Sequence, residues 1–253
     1  MLAGFIFLGG LIIGSFLNVC IFRLPNSRSL ILPGSSCPHC NQPIKFYDNI
    51  PILSYLWLCG KCRFCGHRIS ARYPLVELLS GILALALFVR YGITWPALIL
   101  YVFAASLLII TFVDIDHKII PDSITIPGIP IGFLASFFLP YVTWIDSLIG
   151  IVSGGGSLLV VAIIYEFIAK KEGMGGGDIK LLAMIGGFLG WQGVLFTIFS
   201  GSVLGTVVGI FVALKTKQGR QVAIPFGPFL SIGALLHIFQ GHEIIRWYFE
   251  LLR

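Results

Sequence analysis

Two acids and a set of paired cysteines carry most of the chemistry this sequence offers. Asp178 stands directly behind a glycine run in "KKEGMGGGDIKLL", residues 170–182, where four of the five residues Gly173 to Gly177 are glycine. Glycine permits conformations and close approaches that a Cβ forbids, so this backbone makes a wall beside an acid against which an extended peptide can lie. A plain helix cap is the alternative for Asp178, although a cap needs one turn-compatible residue before it and not four glycines. Asp114 ends the apolar run "SLLIITFV" and lies deepest of the three acids in "TFVDIDHKIIPDSITI"; an interfacial cap is its alternative. Asp116, followed by His117 and Lys118, is expected to face water. Asp122 follows Pro121 and precedes an apolar run, which reads as a helix N-cap. Lys180 reads either as an interfacial anchor or as the holder of a nearby charge. Carboxylates at membrane depth are costly and usually functional. Two of them at one depth, on different hairpins, can share a proton: one stays neutral while the other activates water, which is sufficient to hydrolyse an amide.

The second constellation is "CPHC" (Cys37, Cys40) and "CGKCRFC" (Cys59, Cys62, Cys65). Paired Cys-x-x-Cys knuckles present four thiolates at a spacing that suits tetrahedral Zn²⁺. Cys62 and Cys65 make the better second pair, because Gly66 follows as a knuckle turn requires; Cys59 is then a spare or a substitute ligand. Residues 23–73 have little core of their own, so a metal would supply much of their folding free energy. His39 and His67 beside the knuckles read as solvated surface histidines. His117, His237 and His242 fall in or near loops or span ends with no pattern of partners, and Cys20 reads as an apolar filler.

The elements that must position these groups are membrane helices. The chain is 57% hydrophobic and 11% charged, against about a quarter charged for soluble domains. Its apolar residues fall in blocks near the ~20 residues needed to cross a bilayer. The expected architecture is an all-α, polytopic membrane helical bundle of about eight transmembrane helices with a small zinc-knuckle loop domain. Spans are expected over 2–22, 74–91, 96–113, 124–140, 147–168, 179–190, 194–214 and 228–249, the sixth being short, Gly-rich and prone to break. The first lacks a preceding basic region and a small-residue cleavage site, so it reads as a span and not as a cleavable signal.

Basic residues set the orientation. Seven lie in the 23–73 segment (Arg23, Arg28, Lys45, Lys61, Arg63, Arg68, Arg72) and seven more fall on the same side (Lys118, Lys170, Lys171, Lys180, Lys215, Lys217, Arg220). Only Arg90, Arg246 and Arg253 fall opposite. The positive-inside rule makes the larger set cytoplasmic, with both termini outside. The net charge of +6 therefore reports topology, and no basic stripe interleaved with aromatics points to nucleic acid. The organisation expected is a first transmembrane helix at 1–22, a cysteine-rich loop domain at 23–73 and a membrane domain at 74–253.

"GSFLNVCIFRLP" (14–25), "CPHC", "NIPILSYLWL" (49–58), "CRFCG", "RYPLVELLSG" (72–81), "GMGGGDIKL" (173–181) and "PFGPFL" (225–230) together resemble the bacterial prepilin peptidases, membrane aspartic proteases marked by Gly-x-Gly-Asp. The resemblance covers nearly the whole chain. It implies a catalytic pair of Asp114 and Asp178, cleavage of the basic leader of type IV prepilins or pseudopilins after a glycine, and a site on the cytoplasmic face of the inner membrane. It also implies methylation of the new N-terminus from S-adenosylmethionine, a step associated with the large loop, and zinc on Cys37, Cys40, Cys62 and Cys65. Cys59 departs from the family pattern. No Gly-rich fingerprint for S-adenosylmethionine occurs, so its site residues are left unassigned.

Two other classes compete. An ion-coupled transporter would also place carboxylates in a bundle and glycines at broken helices, but would show internal repeats and acids near the midplane, and neither is visible. A zinc-bearing membrane scaffold would leave the acids and the glycine run incidental. Gly201, Gly205 and Gly209 read as ordinary helix packing.

Overall fold

The computed structural model describes residues 1–170, 175–215 and 224–251, without the side chains of residues 242, 245, 248, 249 and 251. Lys171, Gly173, Lys217, Arg220, Arg253 and the side chain of His242 therefore lie outside the described residues. Within them the chain is helical, with no strand beyond two isolated bridges. Five helices are long and apolar enough to cross a membrane: α1 (Leu2–Arg23), α3 (Arg72–Tyr91), α4 (Trp95–His117), α6 (Trp144–Ala169) and α7 (Gly176–Lys215). The short α2 (Leu53–Trp57), α5 (Asp122–Ala135), α8 (Gly227–Leu236) and α9 (His242–Leu251) complete the set. Apolar side chains point outward along α1 and α6, among them Phe5, Leu8, Ile12, Val152 and Ile163. Such faces suit lipid and not water, and the chain is a multi-pass membrane protein.

The helices depart from the expected spans at two places, the fourth and the eighth. The fourth span contracts to the 14 residues of α5, about 21 Å at 1.5 Å per residue; Pro127 and Pro130 within it remove two helix donors. The sixth and seventh spans meet where expected: the helical stretch Gly176–Lys215 breaks at Gly190, whose φ of 69° and ψ of −178° are open essentially only to glycine. The break is pinned from α6, where Asp146 completes a capping box with Thr143 and accepts from Trp191 Nε1 at 3.2 Å. The eighth is interrupted by a π-helical turn, His237–Gly241, between α8 and α9.

The chain divides into two compact units, residues 1–109 and 110–253. In the first, α1 packs on α3 through small residues: a Cβ on Gly14 would lie 2.6 Å from Glu77 Cα, and one on Gly10 would lie 2.8 Å from Gly81 Cα. This closeness lets Ser80 Oγ donate to Gly10 O at 2.7 Å and Asn18 Nδ2 to Tyr73 O at 3.0 Å, which suits an interface held by packing and hydrogen bonds in lipid. In the second unit, α7 is the central element and packs against α5, α6 and α8. Ser147 Oγ donates to Gly187 O at 2.7 Å, and Met184 and Phe188 fill the space that Gly128 and Gly132 leave on α5.

Candidate active site and cysteine cluster

Asp114 sits in the last turn of α4, only 5% exposed. The chain reverses there because Lys118, at φ 55°, returns its N–H to the Asp114 carbonyl. The Asp114 carboxylate meets the start of α8. Gly227 opens that helix and Pro228 follows it, an order that starts helices and leaves the first N–H groups without an intrahelical acceptor. The Gly227 N–H donates to Asp114 Oδ2 at 3.0 Å in a buried position. A Cβ at 227 would stand 2.6 Å from that oxygen and 3.2 Å from Ile120 Cδ1, so a larger residue there must displace the Asp114 carboxylate.

Asp178 lies in the first turn of α7, half-buried, with its N–H donated to Gly175 O at 3.2 Å. It is within electrostatic reach of the Asp114 carboxylate. Among the described residues its buried Oδ1 has no hydrogen-bond partner, so one oxygen remains for water or a bound peptide. Gly175 and Gly176 are exposed, with open space where side chains would stand. Gly177 is different: a Cβ there would lie 2.8 Å from Ile120 Cβ. The glycine run thus combines an open face with one close approach.

Asp116 is exposed. Asp122 is corrected from N-cap to first helical residue: Pro121 occupies the cap position without a side-chain cap bond. The Asp122 carboxylate instead receives Lys180 Nζ, 2.7 Å from each oxygen, which also decides between the two readings of Lys180. His237 stands at the end of α8, where the π-helical turn begins; it is buried, 2% exposed, its ring 5.5 Å from that of Phe196.

In the first unit the two cysteine pairs repeat one local design. The Cys37 N–H bonds Gln42 O and the Asn41 N–H bonds Cys37 O; likewise Cys62 N–H bonds His67 O and Gly66 N–H bonds Cys62 O. The turn residue is left-handed in both, Asn41 at φ 56° and Gly66 at φ 68°. Sγ atoms of Cys37, Cys40, Cys62 and Cys65 all lie within 4.8 Å of one another, with Cys37–Cys65 at 3.9 Å and Cys40–Cys62 at 4.0 Å. Four sulfurs bound tetrahedrally at about 2.3 Å would stand about 3.8 Å apart. The N–H groups of Cys65 and Phe64 draw the Cys62 thiol down to about 7. The His67 N–H lowers Cys65 too, but desolvation and the neighbouring sulfurs outweigh it and leave that thiol near 11. With their four Sγ atoms this close, the cysteines could hold a metal ion, which would bind them as thiolates. Cys59 is exposed, left-handed and outside it. His39 and His67 are exposed as expected and stack on each other, centroids 4.4 Å apart. Asp48 and Arg63 clip the second knuckle to the turn before α2 with bonds of 2.8 and 2.6 Å.

Three participants escape a reading by type and spacing. Gly227 is visible only as part of "PFGPFL", where Gly-Pro signals a helix start but not the acid it meets. Ile120 looks like any apolar residue of a turn. Glu77, buried in α3, accepts the N–H of Ile52 at 2.8 Å and so fixes a turn where a β-branched residue takes φ 60°, a conformation rare for such side chains. An acid inside "RYPLVELLSG" is itself a signal.

Fold and site together define a multi-pass helical membrane protein with two carboxylates at helix ends of one unit, within electrostatic reach of each other, and a four-cysteine cluster in the other unit. The description "Bacterial Peptidase A24 N-terminal domain" matches residues 8–91, and "Type IV leader peptidase family" matches residues 101–210. A prepilin leader peptidase/N-methyltransferase of Aeromonas hydrophila is 39% identical over 96% of this chain and 92% of its own length. One of Pseudomonas putida is 37% identical over 96% and 92%, and one of Neisseria gonorrhoeae is 36% identical over 93% and 89%. No solved structure matches the chain. The chain belongs to the prepilin leader peptidase/N-methyltransferase family. The transporter alternative finds no support.

Proposed function

We propose that this protein is a membrane aspartic endopeptidase that removes the basic leader of type IV prepilins or pseudopilins after a glycine, and that it methylates the new N-terminal residue from S-adenosylmethionine. The observation that carries the reading is the pairing of Asp114 with Asp178 beside the open Gly175–Gly176 backbone. In hydrolysis one carboxylate takes a proton from water as its oxygen adds to the scissile carbonyl carbon. The other gives its proton to the carbonyl oxygen. As the resulting gem-diol collapses and the C–N bond breaks, the first acid gives its proton to the leaving amine and the second takes one back from a diol hydroxyl, so the pair ends as it began. The relatives' names supply the methyl-transfer half of the proposal, and no residue is assigned to the methyl donor.

Zn²⁺ is the ion proposed for Cys37, Cys40, Cys62 and Cys65, since the sulfur separations fit a closed tetrahedral site. With four thiolates its contribution is structural: it orders a loop that forms almost no core of its own. We assign residues 1–22 to the first transmembrane helix, 23–73 to the cysteine loop domain and 74–253 to the peptidase domain. We assign the chain to the inner membrane on its family, and the basic residues flanking the spans favour a site facing the cytoplasm. The test is mass spectrometry of a pilin co-expressed with this protein, which reads cleavage and methylation on one molecule. A pilin recovered with its leader intact, from cells that hold the folded enzyme, would reject the proposal.

A further inference from the structure

Ile120 occupies an unusual place in the second unit. It belongs to the short segment between α4 and α5, carries no polar atom in its side chain, and touches the backbone beside both acids. Its Cδ1 lies 3.2 Å from where a Gly227 Cβ would stand, and its Cβ lies 2.8 Å from where a Gly177 Cβ would stand. Gly227 gives its N–H to Asp114, and Gly177 is the residue bonded to Asp178. The same side chain therefore crowds both glycines, most closely Gly177; at Gly227 it stands second to Asp114 Oδ2. Two residues on, Asp122 takes Lys180, itself two residues beyond Asp178. The starts of α5 and α7 are thus joined twice, once by the apolar contact of Ile120 with Gly177 and once by an ion pair. The ion pair is exposed, with side chains 38% and 54% accessible, so its grip is weak; the contact of Ile120 is the firmer of the two.

We infer that Ile120 is a spacer wedged between the start of α7 and the start of α8, and that with the Gly227 N–H it sets the separation and orientation of the Asp114–Asp178 pair. Neither residue touches the reacting bond; both are positioning residues. The inference rests on the reading of Asp114 and Asp178 as the catalytic pair. Its physical basis is that hydrolysis by two carboxylates needs both within hydrogen-bond reach of one water. A displacement near 1 Å is enough to cost about 100-fold in rate. A methyl at 227 would push directly on Asp114 Oδ2. Shortening Ile120 would instead let α7 settle toward α8 and change the spacing.

The test compares kcat and KM of the purified full-length protein on a prepilin leader peptide. Gly227→Ala is expected to lower kcat about 100-fold and Ile120→Ala about 10-fold, with KM within about threefold of the parent, because the loss is in alignment and not in substrate contact. Ile120→Val removes only Cδ1, folds on the same backbone and is expected to lose a few-fold. Added to Gly227→Ala it should restore part of kcat, since it vacates the space the new methyl needs. Merely additive losses in that double variant, parent-like kcat in both Gly227→Ala and Ile120→Ala, or a loss carried by KM would each overturn the inference. Asp114→Asn and Asp178→Asn run in the same assay separate the two levels. If both still cleave, the catalytic pair itself is misassigned; if both are inert while the Ile120 variants match the parent, only the spacer is wrong.

Discussion

The cysteine cluster and the aspartate pair are built in opposite ways. Each knuckle is a local object: two ligands three residues apart, one left-handed residue, and two backbone hydrogen bonds that recur in the other copy. The aspartates lie 64 residues apart, and neither is oriented by its own neighbours alone. Asp114 depends on an N–H 113 residues away, and the backbone beside Asp178 rests on a side chain from the α4–α5 segment. A metal can organise a local motif from within, because its ligands converge on one point. A pair of like-charged acids has no such centre and must be pressed together by the surrounding helices.

The contrast is broken most severely at the acids. Asp114→Asn or Asp178→Asn is expected to lower leader cleavage by at least about 1000-fold with folding intact, because an amide cannot exchange the proton. Asp116→Asn, exposed, should keep most activity. Substantial cleavage by either of the first two in a purified-enzyme assay would remove the basis for a paired-acid mechanism.

Next in size is a separation of activities between the two regions. Changing Cys37 and Cys40 together to Ser should reduce methylation more than cleavage, whereas Asp178→Asn should block cleavage and spare methylation of a pre-cleaved pilin. Scoring leader loss and methyl gain by mass on one preparation decides it. Equal loss of both activities in the double cysteine variant, with the helices still folded, would mean one integrated site.

Metal removal follows. Protein purified without chelators should carry about one zinc per chain, and stripping it should open residues 24–71 to proteolysis while the helices of the second unit resist. An elemental analysis without metal would refute the zinc assignment. Cys59→Ser should leave the metal content unchanged, because Cys59 stands outside the cluster.

The smallest effect is expected at the ion pair. Asp122→Asn or Lys180→Gln should cost at most about 1 kcal/mol of stability and only a few-fold in cleavage, since both partners are accessible to water and salt. A larger loss of cleavage, read in the same assay, would shift the positioning of α7 from Ile120 to this pair.

Much of this was legible in the residues, for reasons that differ between the regions. Cys-x-x-Cys spacing and the following Gly66 are short-range facts, so the four clustered cysteines can be picked out and Cys59 set apart. Asp114 and Asp178 could be paired because a carboxylate next to an apolar run is conspicuous. Asp122 was read wrongly as a cap because its long-range partner, Lys180, competes for the same carboxylate. The boundary between the sixth and seventh spans is legible at residue 190, while the contacts of Asp146 with Gly190 and Trp191 that hold it are not.

The sequence by itself determined that this is a helical membrane protein with a cysteine-knuckle loop and two conspicuous acids. Hydropathy, ligand spacing and charge bias act over a turn or a span, and no distant contact can mask them. Only the tertiary structure decided how the acids are held. The Gly227 N–H reaches Asp114, and Ile120 lies against both Gly177 and Gly227, through contacts of residues that carry no chemical label of their own. An N–H or a methyl group acquires a role from what stands within 3–4 Å of it, and packing alone fixes that distance.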